Sequence, residues 1–219
     1  MDFITASQTA ERCQRNWDRS TPVSQEDIET IIKTATTMPT KQNVRYYNLV
    51  VSTNQEFNDV VHDSAMDLGV DSFKNTKRDK WRNAQVSAPL LLLYYPRSAS
   101  LTELQEINPT DPESVHRDNT NISIGISSGA ASLTASYLGY KTGFCSCIDV
   151  QLLNKNVKEK FTDQRIRDLT QAICDSHDIV GLGIGHPDSN FDRRVVVKDG
   201  EDILHVNSFD KTISVDYIK

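Results

Sequence analysis

The first strongly periodic stretch of the chain lies between Ser24 and Pro39. Its apolar residues recur every three or four positions, at Ile28, Ile31, Ile32, Ala35 and Met38. Ser24 followed by Asp27 resembles a capping box, in which the two side chains bond to free backbone N–H groups at a helix start. Pro39 cannot continue a helix. The pattern predicts an amphipathic helix between Ser24 and Pro39.

Four short stretches predict strands. Tyr46–Val51 is aromatic and β-branched, and Leu90–Tyr95 is an unbroken apolar run, which is typical of a strand buried on both faces. Ile179–Gly185 alternates apolar residues with glycines, so we expect another part of the chain to pack closely on it. Cys145–Ile148 is predicted as a shorter strand that follows a turn.

Three further stretches predict helices, at 54–84, 118–138 and 150–161. The stretch 118–138 combines apolar residues at helical spacing with many small residues, which would let another backbone approach closely. Helices alternate with strands, and the sequence shows no internal repeat and no linker. We therefore expect a single domain of α+β or α/β class.

Two segments stand apart from this alternating pattern. Residues 97–117 are rich in Pro, Asp, Glu and Ser, which predicts either a lid over the site or an ordinary surface loop. Residues 200–219 carry apolar residues in short alternating runs. They predict a C-terminal extension that adds an edge strand or clasps a partner. Both segments are expected to belong to one domain that spans residues 1–219.

Composition and charge narrow the classes of function. The 219 residues include 24 Lys and Arg against 30 Asp and Glu, for a net charge of −6. With no basic tract, we expect no nucleic acid as a partner. The longest apolar run, Leu90–Tyr95, is far shorter than the about 20 residues of a membrane span, so we expect no membrane partner. The absence of a leader pattern and the few cysteines predict a cytoplasmic protein with reduced thiols.

Most well-known site motifs are missing from the sequence. It has no Walker or dinucleotide phosphate loop, no His-Glu-x-x-His and no Gly-x-Ser-x-Gly. Cys145 and Cys147 could ligate a metal or form a redox pair. Two small buried thiols on a strand are the simpler interpretation, because a metal would need two further ligands at suitable spacing. We expect no metal site.

Two basic clusters stand at opposite ends of the chain. Arg12 and Arg15 precede the first predicted helix, and Arg193 and Arg194 follow the glycine-rich strand. Arginine forks suit phosphates and carbonyl-rich rings, because they donate two parallel hydrogen bonds. Solvated surface charge is the alternative interpretation of both clusters.

Five short motifs follow one another in the order found in one enzyme family. They are Glu11–Trp17, similar to Arg-x-Ser-x-Arg-x-Phe; Pro39–Tyr46, similar to Pro-Ser-x-x-Asn-x-Gln-Pro; Ala88–Pro89 before an apolar strand; Gly139–Cys147 in the place of Gly-Leu-Gly-Thr-x-Trp-x-Gly-Gly; and Gly183–Pro187 followed by Arg193–Arg194. Over about residues 8–198, the chain thereby resembles the FMN-dependent nitroreductase family.

The resemblance implies a fold and an activity. The fold would be α+β and nitroreductase-like, with a central, mostly antiparallel sheet flanked by helices, in an intertwined homodimer that builds two FMN sites from both subunits. The activity would be an FMN-dependent NAD(P)H oxidoreductase. NADH or NADPH would reduce the flavin and leave before a small-molecule electron acceptor, such as a nitro compound or quinone, takes its place. The cofactor carries the chemistry, so no catalytic residue is implied.

Residue roles follow from the matched motif positions. Arg15 matches a basic residue near the flavin N1/O2 edge, and Ser146 and Cys147 fall where a Gly-Gly backbone faces N5/O4. The remaining implied contacts are Arg12, Cys13 and Gln14 for the phosphate and ribityl chain, Thr40 and Asn43 from the second subunit, Lys80 and Asn83 before the Ala-Pro strand, and Arg193 and Arg194 for the phosphate.

The chain departs from the family pattern at four positions of these motifs. Glu11 replaces an arginine, Cys13 replaces a serine, and Ser146 and Cys147 replace the two glycines. These changes indicate an altered flavin potential or a narrower entrance. Two alternatives to a general reductase follow from them. One is a flavin enzyme with a single dedicated metabolite substrate and residues 97–117 as its lid, and the other is a non-catalytic binding protein on the same fold.

Overall fold

A computed structural model describes most of the chain. The described residues are 1–65, 84–97, 102, 106, 113–190, 195–198 and 201–205. Within them, the α-helices are α1 (Phe3–Ala10), α2 (Gln25–Thr36), α3 (Gln55–Asp63), α4 (Glu113–Tyr137), α5 (Val150–Lys160) and α6 (Gln164–Asp175). The strands are β1 (Trp17–Asp18), β2 (Tyr47–Ser52), β3 (Leu90–Pro96), β4 (Lys141–Cys145), β5 (Val180–Pro187), β6 (Val195–Lys198) and β7 (Glu201–His205).

β5 is the central strand of the main sheet. It pairs antiparallel with β3 along one edge, and with β4 and β1 along the other. β2 pairs antiparallel with β3 and forms the opposite border of the sheet. The predicted α+β fold with a mostly antiparallel sheet and flanking helices is confirmed.

The start of α2 confirms the predicted helix cap. The Ser24 side chain accepts a hydrogen bond from the Asp27 N–H at 3.1 Å and donates one to the Asp27 carboxylate at 2.6 Å. The Tyr140 hydroxyl donates to the same carboxylate at 2.6 Å. Hydrogen bonds from Ser24 and Tyr140 lower the pKa of Asp27. These bonds tie α2 to the chain just before β4 and stabilise the helix start.

β3 separates two hydrophobic clusters, one on each face of the sheet. Leu91 and Leu93 pack with residues of α3, α5 and α6, whereas Leu90 and Leu92 pack with residues of α2 and α4. Successive side chains of a strand point to opposite faces, so an unbroken apolar run fills both clusters. The prediction of a strand buried on both faces is confirmed.

The glycines of β5 allow the 3-10 turn that precedes β3 (Ala84–Ser87) to lie directly on the strand. A Cβ atom at Gly183 would overlap the backbone oxygen of Gln85, and one at Gly181 would lie 2.8 Å from Val86. The expected close packing on this strand is confirmed.

The fourth predicted strand was placed too late in the chain. The structure has β4 at Lys141–Cys145, and Ser146 and Cys147 follow it. Lys141, Thr142 and Gly143 suggest a turn by residue type, but their antiparallel pairing with β5 keeps them extended. Tertiary pairing overrides local preference here.

Several helix boundaries also differ from the predictions. α4 begins at Glu113 rather than 118, so residues 113–117 of the predicted lid are helical. α3 occupies the first part of the predicted helix 54–84, whose residues 66–83 lie outside the described chain. In the predicted C-terminal extension, β7 pairs with β6, and residues 206–219 lie outside the described chain. None of the described helices is long and apolar enough to cross a membrane.

Replacing Gly183 with alanine tests the packing on β5. We expect Gly183→Ala to lower the free energy of unfolding by about 3 kcal/mol, because backbone atoms of the Gln85 turn must move. Gly125→Ala on α4 is the control, since a Cβ there meets nothing within 4 Å. This variant is expected to gain up to about 1 kcal/mol from helix propensity. Urea denaturation at fixed protein concentration measures both, and equal effects would contradict the packing argument.

Candidate functional site

Residues 12–16, called here the arginine segment, run alongside β4. Cys13 pairs in parallel with Thr142, and the Gln14 N–H donates to the Thr142 oxygen at 2.7 Å. A Cβ atom at Gly143 would overlap the Gln14 oxygen, so this close approach requires glycine. The arginine segment therefore adds a short extended stretch to the border of the sheet.

The arginine segment presents two different faces. Arg12 and Gln14 line a cavity shared with α1. Cys13 instead interacts electrostatically with Cys145, which is buried in the core. Because side chains alternate along extended backbone, Arg15 belongs to the same face as Cys13. The four contacts predicted in this segment are thus divided between two sides of one backbone.

The cavity between α1 and β4, called here the polar cavity, has a volume of about 290 Å³. Four of its residues lie on one face of α1 and its continuation, and Lys141 contributes from β4. Its lining consists of Thr5, Gln8, Thr9, Arg12, Gln14 and Lys141. The lining contains two cationic side chains and no acidic one, so the cavity is electropositive.

Arg15 has a buried donor without an acceptor. Its Nε atom is inaccessible to solvent and has no hydrogen-bond partner among the described residues. Buried donors in folded proteins are normally paired, so a group with acceptor oxygens or nitrogens would complete this one. The donor chemistry of Arg15 therefore fits the carbonyl-rich edge of a flavin.

Cys13 and Cys147 lie close to one another around Cys145. Burial raises the pKa of the Cys145 thiol to about 11, and the interactions with Cys147 and Cys13 contribute to it. Cys147 is half-buried against the core cluster on the α3 side of the sheet, and Ser146 is exposed. The structure thus brings together Cys13, Arg15 and the Ser146–Cys147 stretch. No group of three His, Cys, Asp or Glu residues in the described chain is placed to hold a metal ion.

Thr40 and Asn43 lie in a different part of the molecule. They line a cavity of about 710 Å³ along the outer edge of β2, which also includes Leu169 of α6. Gln42 and Asn43 both have left-handed backbone, with φ of 56° and 57°. Consecutive non-glycine residues of this kind store strain, which is a feature common at binding sites.

A single chain keeps this loop away from the arginine segment. The segment, β4, β5, β3 and β2 follow one another across the sheet. Four spacings of about 4.8 Å separate the segment from β2, or about 19 Å. Thr40 and Asn43 therefore do not meet Arg15 within one subunit.

The remaining predicted contacts, Lys80, Asn83, Arg193 and Arg194, lie outside the described residues. Two residues of the site were not predicted. Lys141 could have been recognised, because it stands where the matched motif has glycine. Gln85 is 4% exposed, and its Oε1 has no hydrogen-bond partner in the described part of the chain. Its side chain packs against Gly143, a contact that no sequence pattern indicates.

Comparison with known proteins identifies the family. The sequence model of the nitroreductase family matches residues 10–183. The chain belongs to the nitroreductase family. No protein of curated function matches this nitroreductase-family sequence.

Solved structures share the nitroreductase fold. NfrA2 of Bacillus megaterium is 17% identical with a TM-score of 0.58, and the alignment covers 96% of this chain and 76% of that one. A protein described as an NAD(P)H:FMN oxidoreductase, from Staphylococcus epidermidis, is 15% identical with a TM-score of 0.60, covering 90% and 92%. NfrA1 nitroreductase of Bacillus subtilis is 14% identical with a TM-score of 0.56, covering 86% and 67%. The family and the fold together support a flavin oxidoreductase.

Alkylation at controlled pH tests the thiol arrangement. With a pKa near 11 for Cys145, about one molecule in a thousand carries its thiolate at pH 8. We expect iodoacetamide to modify the half-buried Cys13 and Cys147 first. Labelling of Cys145 should then rise about tenfold per pH unit up to pH 10. Fragment-resolved mass spectrometry measures each site. Cys174, whose thiol pKa burial also raises to about 11, is the internal control.

The thiol arrangement would be wrong if Cys145 reacted as fast as Cys147 at pH 8. It would also be wrong if Cys145 labelling did not depend on pH while that of Cys174 did.

Proposed function

We propose that the protein is a homodimeric, FMN-dependent NAD(P)H oxidoreductase. NADH or NADPH serves as the electron donor, and an electron-poor small molecule such as a nitro compound or a quinone as the acceptor. The two substrates occupy the same site in turn, which gives ping-pong kinetics. The observation that carries the proposal is the buried, unpartnered Nε of Arg15 in a chain of the nitroreductase family.

The described residues supply binding and electrostatics to this chemistry. When bound, FMN provides reversible two-electron transfer. The Arg15 guanidinium is fully charged at any physiological pH, so it stabilises negative charge at the pyrimidine edge of the ring. Backbone N–H groups at Ser146 and Cys147 are the proposed donors to the opposite edge. The core cluster beneath Cys147 is apolar and excludes water from that side of the site.

A dedicated flavin enzyme is the second candidate, and one observation favours it. Cys147 places a half-buried side chain where the matched motif has glycine. A side chain at this position reduces the space available beside the ring. A narrow range of acceptors, together with normal flavin reduction, would distinguish this candidate from a general reductase.

The exposed face of α4 supports a homodimer. Ile122 and Ile126 are 59% and 41% exposed, and Gly125 and Gly129 share their face of the helix. A Cβ atom at either glycine would meet nothing within 4 Å. Glycine destabilises a helix by about 1 kcal/mol relative to alanine, so two exposed glycines beside exposed isoleucines indicate close approach of another backbone.

A second subunit also accounts for the divided contacts. Within one chain, the loop of Thr40 and Asn43 lies about 19 Å across the sheet from the arginine segment. We propose that the partner's copy of this loop completes the flavin site, as the resemblance to the family implies.

Titration with FMN tests the cofactor and the role of Arg15. We expect the purified protein to bind FMN, and NADH or NADPH to bleach the visible flavin band. Arg15→Ala should weaken FMN binding by about 10- to 100-fold, the usual range for a lost charged hydrogen bond. Arg19→Ala is the matched control, since that exposed arginine pairs with Asp59 at 2.6 Å on the surface. Flavin fluorescence quenching measures both affinities.

A protein that takes up no FMN and shows no flavin bands would overturn the proposed function. Equal FMN affinity in the Arg15 and Arg19 variants would leave the flavin enzyme standing but remove Arg15 from its site.

Introducing a charge on α4 tests the homodimer. We expect Ile126→Glu to shift the protein from dimer to monomer in light scattering, because an unpaired carboxylate in an apolar interface is costly. FMN affinity should fall with it, since the partner's Thr40 loop is removed. Gln151→Glu, at the start of α5, is the control and should stay dimeric. A wild-type monomer that binds FMN tightly would contradict the two-subunit site.

A further inference from the structure

The polar cavity between α1 and β4 has no role in the proposed electron transfer. Its volume of about 290 Å³ equals about ten water molecules at ~30 Å³ each. This is more than one small inorganic anion occupies. The cavity therefore has room for an anionic group together with an organic part of about sugar size.

The charge of the cavity is not balanced by the described protein residues. Arg12 is exposed and Lys141 is half-buried, and neither forms an ion pair in the described chain. Other cations do find carboxylates: Arg19 pairs with Asp59 at 2.6 Å, and Lys160 lies 3.7 Å from Asp63. Two like charges at one cavity, in a chain of net charge −6, indicate a binding place for an anion.

The remaining lining residues are suited to donate hydrogen bonds. The side chains of Gln8 and Thr9 form no hydrogen bond to the described protein, so both are available to a ligand. Thr5 donates its hydroxyl hydrogen to the Asp2 carboxylate at 2.5 Å. That carboxylate also caps α1 by accepting from the Thr5 N–H at 3.0 Å, and it is not part of the lining.

We propose that the polar cavity binds a phosphate monoester, held by Arg12 and Lys141. A phosphate monoester carries about −1.5 to −2 charges at pH 7 and three acceptor oxygens, which matches two cations, whereas a carboxylate carries one charge. The arginine fork contributes paired hydrogen bonds, and the lysine contributes a compact charge. The Thr9 hydroxyl and the Gln8 amide supply further donors.

The cavity lies behind the proposed flavin site. Arg12 and Gln14 face it, while Cys13 and Arg15 belong to the opposite face of the same segment. The phosphate could belong to a separate small ligand or be the terminal phosphate of the flavin itself. The recognition chemistry is the same in both cases.

Calorimetric titration of the full chain with inorganic phosphate tests the site. We expect saturable binding, and at least tenfold weaker binding in Arg12→Gln and in Lys141→Gln. Lys155→Gln on α5 is the matched control and should bind as the wild type does, since its side chain is 68% exposed and remote from α1. Thermal unfolding without ligand verifies that each variant is folded. Absent saturable binding, or equal affinity in all four proteins, together with an unchanged preference for FMN over riboflavin, overturns the proposal.

Parallel titrations with FMN and riboflavin distinguish the two sources. Loss of FMN affinity in Lys141→Gln, with riboflavin affinity unchanged, assigns the cavity to the terminal phosphate of the flavin. Weaker inorganic phosphate binding, with both flavins unaffected, assigns it to a separate ligand. The phosphate titration is readable even if the protein takes up no flavin, so failure of the proposed function is distinguishable from failure of this one.

Discussion

Close packing against the glycines of β5 determines how the centre of this molecule is built. The backbone oxygen of Gln85 and the side chain of Val86 occupy the space that side chains at Gly183 and Gly181 would fill. Asn58 fixes the same stretch from the α3 side, by donating to the Ala88 oxygen at 2.9 Å. The turn before β3 thus becomes part of the core, and β3 enters the sheet in a defined register.

The same packing extends outward to the arginine segment. Gln85 reaches from β5 to Gly143, and on that glycine the Gln14 oxygen also rests. A second small residue therefore lets two pieces of backbone meet at β4. The result is a cationic strip at the sheet border of an acidic protein, with Arg15 on one face and Arg12 on the other. Such local fields attract anions regardless of the net charge.

The predictability of each element depends on whether its signal is local. Ser24 with Asp27 and the apolar run of β3 could be predicted, because capping and burial on two faces leave direct traces in the sequence. β4 was misplaced, since Lys141 to Gly143 are extended only through their pairing with β5. α1 and α6 were not predicted: α1 has little amphipathic contrast, and the polar face of α6 conceals its three buried residues.

The site shows the same division. Arg15 was predicted from its motif, and the structure adds what no motif contains, namely that its Nε is buried without a partner. The division of the arginine segment into two faces follows from pairing with Thr142. Lys141 becomes meaningful only when β4 brings it opposite α1.

The position of Trp17 has a practical consequence for studying the protein. The chain has two tryptophans, Trp17 and Trp81. Trp17 is 8% exposed, and its indole N–H donates to the Ala84 oxygen at 2.9 Å while its ring lies over Gly185. It thereby joins the arginine segment, β5 and the turn before β3. Its emission is an intrinsic spectroscopic reporter of this junction, and a variant that keeps only this tryptophan would follow it without an added label.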